Sequence, residues 1–393
     1  MKKIKVINPI TRLIVGGAQE TVIETCAFIN QERFATQIIA GPQTGPEGEL
    51  ITEVQKQGIP LTIIPEIVRE VNPVKDLIAT FKLVNIFRRE QPHIVHTHSS
   101  KTGIIGRWAA RIARVPVIVH TVHGWAHHPY QKAFIRGMYI YLERIAAPFT
   151  ARLIAVSTLN VEKGLKDKIG TRDRYTVIHS CINIDQFSRT STDSALLRKS
   201  LGLNGSGPVV GTVSRLSQQK NPLDFVKMAA LVKKQIPEAQ FLFVGDGPLR
   251  SESEALIREF SLQKDVVLAG LRKDVPDLLR CMDIFTLTSL WEGLPRVIPQ
   301  AMVAGLPVVA NNIDGNAEII HNGTNGFLVA PGDTAGMADR VVQLLKDQKL
   351  KQEISAKGHE TALQEFSLHD MVRKIAALYE ELLLIKGVRI GGQ

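Results

Sequence analysis

The sequence predicts an α/β protein of two doubly wound domains with mostly parallel sheets. Three observations carry this. Short apolar runs alternate with amphipathic stretches from end to end, and several runs are apolar almost without a break, as strands buried on both faces must be. The alternation stops around 193–208, which ends in the glycine-rich LGLNGSGP, and then restarts. The length, 393 residues, exceeds one ordinary domain.

Along the first half, strands are expected at 4–8, 35–39, 61–64, 93–97, 117–120, 153–156 and 176–178, with helices at 75–90, 103–113 and 133–147. Gly16-Gly17 opens another helix just past the first strand. Beyond the joint, strands are expected at 209–213, 241–244, 266–269, 284–288, 307–310 and 326–329, and helices at 222–235, 249–260 and 334–347. The domains so bounded are 1–195 and 206–369, and a last helix at 370–386, after a Phe-Ser break, carries 370–393 back to the first domain. Two such domains facing each other place a cleft between their strand carboxyl ends, where these folds bind ligands.

Composition narrows the function. Hydrophobic residues at 44% and charged residues at 22% exclude global disorder. Aromatics at 6% are too few for base-stacking platforms, and no nucleic-acid partner is expected. Cys26, Cys181 and Cys281 are too scattered for a disulfide framework or a zinc cluster and fit a reducing cytosol. The longest uncharged stretch, 297–313, carries two prolines, a glycine and two asparagines, so it is no spanning helix. The formal net charge of +10 lies entirely in 1–190, and 101–190 alone hold 14 Lys and Arg against 5 Asp and Glu. Such an excess points to an anionic partner, whether nucleic acid, a phospholipid surface or a phosphorylated substrate, or else to a solvated basic face. In the expected helix 133–147, Ile135, Met138, Tyr139 and Leu142 make an apolar stripe beside Lys132, Arg136 and Arg144, the pattern either of a core helix or of one lying on an anionic bilayer.

Four features look chemical. Gly16 and Gly17 would let backbone N–H groups approach a phosphate at a helix start, or simply make a tight turn. Arg215 and Lys220, in VGTVSRLSQQKNPLDF after the strand at 209–213, suit a diphosphate clamp or are loop cations in solvent. Seven histidines between His93 and His128 are spaced as strand ends and a loop, with no interleaved carboxylate or cysteine, so a metal site is not expected; His123, in HTVHGW just past a strand, is best placed for chemistry. Glu292, in an Glu-Gly-Leu-Pro turn past the strand at 284–288, and Gln300, near the start of a helix expected from about 299, would form one polar lip for a polyhydroxy ligand. The alternative for Glu292 is a helix cap. Gly245 and Gly247 follow a strand but lack the third glycine of a dinucleotide fingerprint, leaving a tight turn near a ligand; no Walker loop occurs.

Together these residues resemble the family 4 retaining glycosyltransferases, of the GT-B architecture with two facing Rossmann-like domains. The resemblance runs through R-L-x-x-x-K, V-G-D-G-P, S-x-x-E-G-L-P, A-M-x-x-G-L-P-V-V-A and N-G-x-N-G-F-L-V. The opening G-G-A, H-T-H-S-S-K at 96–101 and H-T-V-H-G-W at 120–125 are similar to bacterial members that build capsules, exopolysaccharides and O-antigens. The resemblance implies a hexose transferred from a nucleoside diphosphate sugar, UDP favoured, to a polyprenyl-diphosphate-linked or other anionic lipid-linked acceptor. It implies a peripheral place on the inner face of the cytoplasmic membrane and neither cofactor nor metal. Gly16, Gly17, Arg215 and Lys220 would hold the diphosphate, His123 would approach the transferred sugar, and Glu292 would bind its hydroxyls. Gly245 would turn beside the donor, Arg272 and its neighbours would meet the nucleobase through backbone, and Leu294 and Pro295 would lie near the diphosphate. One departure stands out: where the family pattern has a second Glu after seven intervening residues, to hold the ribose, this chain has Gln300. An amide both donates and accepts, so ribose binding would be weaker and the reaction type unchanged. The Gly-Gly-x-Pro-Glu turn is likewise altered to Gly315-Asn-Ala-Glu318. The competing functions are a sugar-nucleotide 2-epimerase of the same architecture, which needs no acceptor, and a basic-surface binding module.

Overall fold

A computed structural model describes residues 3–43, 48–188, 193–203 and 206–388. Its contacts divide the chain into two compact units, Met1–Ser180 with Leu368–Gln393, and Cys181–Ser367.

The first unit is built on a seven-stranded parallel sheet. Its strands are β1 (Ile4–Ile10), β2 (Phe34–Ala40), β3 (Leu61–Ile63), β4 (Ile94–His98), β5 (Val117–Val122), β6 (Arg152–Ala155) and β7 (Tyr175–Val177), in the order β3-β2-β1-β4-β5-β6-β7. β5 is buried at every position, which its apolar VIVHTV run requires. One core gathers Leu83, Phe87, Ala109, Ala110 and Ile118; another gathers Leu13, Val22, Ile23, Cys26 and Ile38. Strand order reverses between β1 and β4, whose pairing runs only through Val6–Ile94 and Ile7–Val95. Pro9, two residues on, has no N–H to offer a neighbour. The sheet therefore opens toward its carboxyl end at the switch point. The helix Leu368–Ile385 completes this unit, starting two residues before its expected position, with Met371, Ile375, Tyr379, Leu382 and Leu383 among its buried residues.

The second unit repeats the plan with β8 (Val209–Val213), β9 (Gln240–Val244), β10 (Val266–Leu268), β11 (Ile284–Leu287), β12 (Val308–Asn311) and β13 (Phe327–Val329), ordered β10-β9-β8-β11-β12-β13. Phe225, Met228, Phe241, Phe243, Val309 and Val341 are central to its core. Here too the switch-point strands part early, β8 and β11 pairing only at Val210–Ile284 and Gly211–Phe285.

Three expectations need correction. Residues 181–188 and 193–195, grouped with the first domain on sequence, cluster with the second unit, as does the described part of the joint after them. The reason is a helix, Ser194–Ser200, capped by Asp193, whose Arg198 donates to the Cys281 carbonyl and to Asp283, each at 2.9 Å; Gly205 of the joint lies outside the described residues. The helix expected from about 299 begins at Val297. In the helix Ala133–Ala146, Met138, Tyr139 and Leu142 are half-buried, while Phe134, Ile135 and Tyr141 point outward, Phe134 at 84% exposure.

Candidate active site

In the second unit the chemistry sits beyond the β8 and β11 carboxyl ends, the place where open α/β sheets bind ligands. The loop after β8 carries Arg215 and Lys220, and the loop after β11 carries Glu292. Hydrogen bonds stitch the two loops together. The Thr288 hydroxyl lies 2.9 Å from the carbonyl oxygens of both Lys220 and Asn221. The Leu290 N–H donates to the Gln219 carbonyl at 2.8 Å, and the Gln219 amide donates to the Trp291 carbonyl at 2.9 Å. Arg215 Nη2 donates to Gln219 Oε1 at 3.3 Å. Across this seam Lys220 Nζ donates to Glu292 Oε1, both side chains being largely withdrawn from solvent. Lys220 is thus no solvated loop cation. Glu292 is no helix cap either, since Arg296 occupies that position on Val297–Val303.

Two glycines shape these loops. Gly245 has φ 136, and a Cβ there would stand 1.9 Å from the Ser214 carbonyl oxygen. The β9 loop can lie against the backbone beside Arg215 only because that residue is glycine. A Cβ on Gly315 would fall 2.1 Å from the Gly293 carbonyl oxygen, so Gly315-Asn-Ala-Glu318, expected as a turn and here inside the short helix Asp314–Ile319, packs directly on the Glu292 loop. Behind it Asn316 donates to the Asn311 carbonyl at 2.8 Å, and Asn311 donates to the carbonyls of Thr288 and Ser289 at 2.9 and 3.1 Å. The buried Ser217 and Ser289 hydroxyls and Asn316 Oδ1 have no hydrogen-bond partner among the described residues.

The remaining sites expected here fall as follows. Leu294 and Pro295 are buried in the turn entering Val297–Val303, and Gln300 is buried on that helix. Arg272 spends its guanidinium on Asp274, at 2.8 and 2.5 Å, which raises the pKa of the arginine. Gln219, Thr288, Asn311 and Asn316 were not singled out on sequence. Uncharged polar residues give no signal until the elements they join are known.

In the first unit, Gly16 is the extended N-cap of the helix Gly17–Phe28 and makes no side-chain cap bond, leaving the helix start to backbone N–H groups. His123 lies one residue past β5, and its Nε2 is 3.0 Å from His98 Nδ1 at the end of β4. His98 Nε2 in turn faces Asn8 Oδ1 at 3.4 Å. His96 bonds Tyr379 through Nδ1 at 2.5 Å and Thr121 through Nε2 at 2.6 Å. Burial, with repulsion from the neighbouring imidazoles, pushes His96 down to about 3 and His98 well below the usual histidine range; burial and then Arg107 do the same to His120. The histidine cluster therefore sorts itself. His93 accepts from the Lys5 N–H, His120 bonds Thr97, His127 bonds Asp167 and His128 lies near the Tyr130 ring, while His98 and His123 meet at the β4 and β5 ends. Among the described residues no three His, Cys, Asp or Glu side chains are placed to hold a metal ion.

Comparison with known proteins gives this geometry its context. Residues 15–186 match the domain described as Glycosyltransferase Family 4, and residues 193–361 that described as Glycosyl transferases group 1. The UDP-Gal:alpha-D-GlcNAc-diphosphoundecaprenol alpha-1,3-galactosyltransferase of Escherichia coli is 32% identical over 387 residues, 98% of each chain. The capsular polysaccharide biosynthesis glycosyltransferase CapM of Staphylococcus aureus is 24% identical over 318 residues, 80% of this chain and 83% of CapM. Anabaena HepE, solved with UDP and glucose, superposes with a TM-score of 0.84 at 23% identity, covering 96% of this chain and all of HepE, and shows the fold to be GT-B. Matched in both its domains and along nearly all of a relative's length, the chain belongs to glycosyltransferase family 4 and is a glycosyltransferase of glycan biosynthesis.

Proposed function

We propose that the protein transfers a hexose from UDP-hexose, with retention of configuration, to a polyprenyl-diphosphate-linked glycan on the inner face of the cytoplasmic membrane. The observation that carries this is the seam joining Arg215, Lys220 and Glu292 at the second switch point. The leaving diphosphate gains negative charge as the anomeric C–O bond breaks, and preorganised cations stabilise that charge in the transition state. Arg215 and Lys220 supply it without a metal ion, while Glu292, oriented by Lys220, accepts from sugar hydroxyls. The buried Ser217, Ser289 and Asn316 oxygens suit the polar groups of a bound nucleotide sugar. Retention follows from acceptor attack on the face the diphosphate leaves, a diphosphate oxygen taking the acceptor proton. The E. coli relative's name supports UDP and the lipid-linked acceptor.

Release of nucleotide from UDP-, GDP- and ADP-sugars, with and without a diphosphate-linked lipid acceptor, tests this. Acceptor-dependent UDP release that persists in EDTA, with an axial anomer in the product, is expected. Conversion of the sugar nucleotide without acceptor would make the protein an epimerase instead.

The membrane part rests on the first unit. No helix among the described residues is long and apolar enough to cross a bilayer. Phe134 and Tyr141 project outward from the helix Ala133–Ala146, which also exposes Arg136 and is preceded by the exposed Lys132, and exposed aromatic groups on a basic helix suit an anionic lipid surface. Flotation with anionic liposomes at low salt, weakening as salt rises and lost in Phe134→Ser, is expected. Indifference to such liposomes would favour a soluble acceptor.

A further inference from the structure

We infer that Asn311 is a positioning residue for Glu292: its side-chain amide fixes the bend at Thr288 and Ser289 from which the Glu292 loop starts. That Glu292 then serves the transferred sugar rests on the transferase reading; the hold on the bend does not.

The need arises where β11 ends. Its ladder with β8 stops at Phe285 and its ladder with β12 at Leu287. The next two residues, Thr288 and Ser289, are buried, so their carbonyl groups must find donors inside the protein. Successive carbonyls of an extended strand point to opposite edges, and one neighbour cannot serve both. Here both accept from Asn311 Nδ2, at 2.9 and 3.1 Å, so the chain bends around a single amide. A backbone N–H has one hydrogen to give and a primary amide has two, which is what the bend requires. Turning the amide over would set its oxygen against both carbonyls, so its orientation is fixed as well.

Asn311 is itself anchored. It is the last residue of β12, a strand buried at every position, and its carbonyl accepts from the Ile313 N–H at 3.0 Å and from Asn316 Nδ2 at 2.8 Å. The helix Asp314–Ile319, tied to that carbonyl through Asn316, sets Gly315 against the Gly293 carbonyl. The loop is thus held before Glu292 by the Asn311 amide and after it by the helix that Asn311 anchors. Lys220 cannot replace this hold. It meets Glu292 at the carboxylate, on a flexible four-carbon stem that would follow the acid if the loop shifted. The end of β12 therefore sets where the Glu292 carboxylate stands.

Kinetics and hydrogen exchange on the full chain test this. Asn311→Ala should lower kcat about tenfold, the scale of a misplaced reacting group, and leave the donor KM within about twofold, because the diphosphate is held by the loop after β8. Asn311→Thr, which keeps one hydrogen to donate, should lose less, and it carries the same comparisons if the alanine variant does not fold. In a Glu292→Ala background no carboxylate is left to position, and Asn311→Ala should cost no further activity. Equal losses in the two backgrounds overturn the inference, since a general structural defect acts in both. Exchange in the ligand-free protein reads the hold without activity: amides at 289–296 should exchange about tenfold faster in Asn311→Ala, while β8, β9 and β12 keep the protection of the parent. Loosening of the whole second unit, or no change at 289–296, also overturns it. If the parent protein transfers no sugar, the transferase reading falls, and exchange at 289–296 still decides whether Asn311 holds the bend.

Discussion

At the scale of single residues, the Lys220–Glu292 pair decides what the second switch point can do. Both side chains are largely buried, so removing one partner strands the other charge in a poor solvent. Lys220→Met should cost about 3 kcal/mol of stability in urea unfolding, and adding Glu292→Gln should return most of it. Equal losses in the single and double variants would mean the pair is solvated. Glu292→Gln alone keeps the shape and should lower kcat by roughly 10²–10³, as for one preorganised polar contact. Arg215→Ala should weaken nucleoside diphosphate binding by about 1.5–3 kcal/mol in calorimetry, the scale of a charge-assisted hydrogen bond. Arg215, Lys220 and Glu292 were all legible as polar residues at strand ends. That Lys220 and Glu292 touch was not, because 72 positions separate them and only the parallel order β8-β11 brings their loops together. Asn311 was invisible for another reason: a polar residue ending a strand gives no sign of which way its amide faces.

At the scale of elements, the loops matter more than the strands they follow. All thirteen strands lie within two residues of their sequence positions, since an unbroken apolar run between turns leaves little choice in a sheet covered on both sides. The helix Gln348–Glu365 escaped notice because it buries only Ile354, Gly358 and Ala362, too few to mark an apolar face among its charges. The joint expected at 193–208 reads as a linker from its glycines, yet its helix Ser194–Ser200 is held by Arg198 on Asp283. Close loop packing carries a further consequence. Gly245→Ala sets a Cβ into the Ser214 carbonyl at a φ that alanine resists, and should cost about 3 kcal/mol. Thermal unfolding measures this, and the donor KM should rise as Arg215 shifts. A variant as stable as the parent would show that the β9 loop is free to move aside.

At the scale of the whole molecule, the buried imidazoles link stability to pH. His96, His98 and His120 have pKa values depressed below the value near 6.5 that they take in an unfolded chain. Above about pH 6.5 both states are neutral and nothing is lost. Below it the unfolded chain binds protons that the folded one refuses, so stability falls by up to about 1.4 kcal/mol per pH unit for each ring. Scanning calorimetry should show a melting temperature steady from about pH 8 to 7 and declining between about 6.5 and 5, before carboxylates titrate. A flat profile there would mean that water reaches the rings. The helix Leu368–Ile385, whose Tyr379 bonds His96 and packs on Phe34, has a consequence for biosynthesis. The second unit is one continuous stretch of chain, complete once Ser367 has been made. The first sheet is synthesised earlier yet keeps an uncovered apolar flank until that last helix emerges. On the ribosome, the unit begun first is completed only when Leu368–Ile385 has been made, after the whole of the second unit.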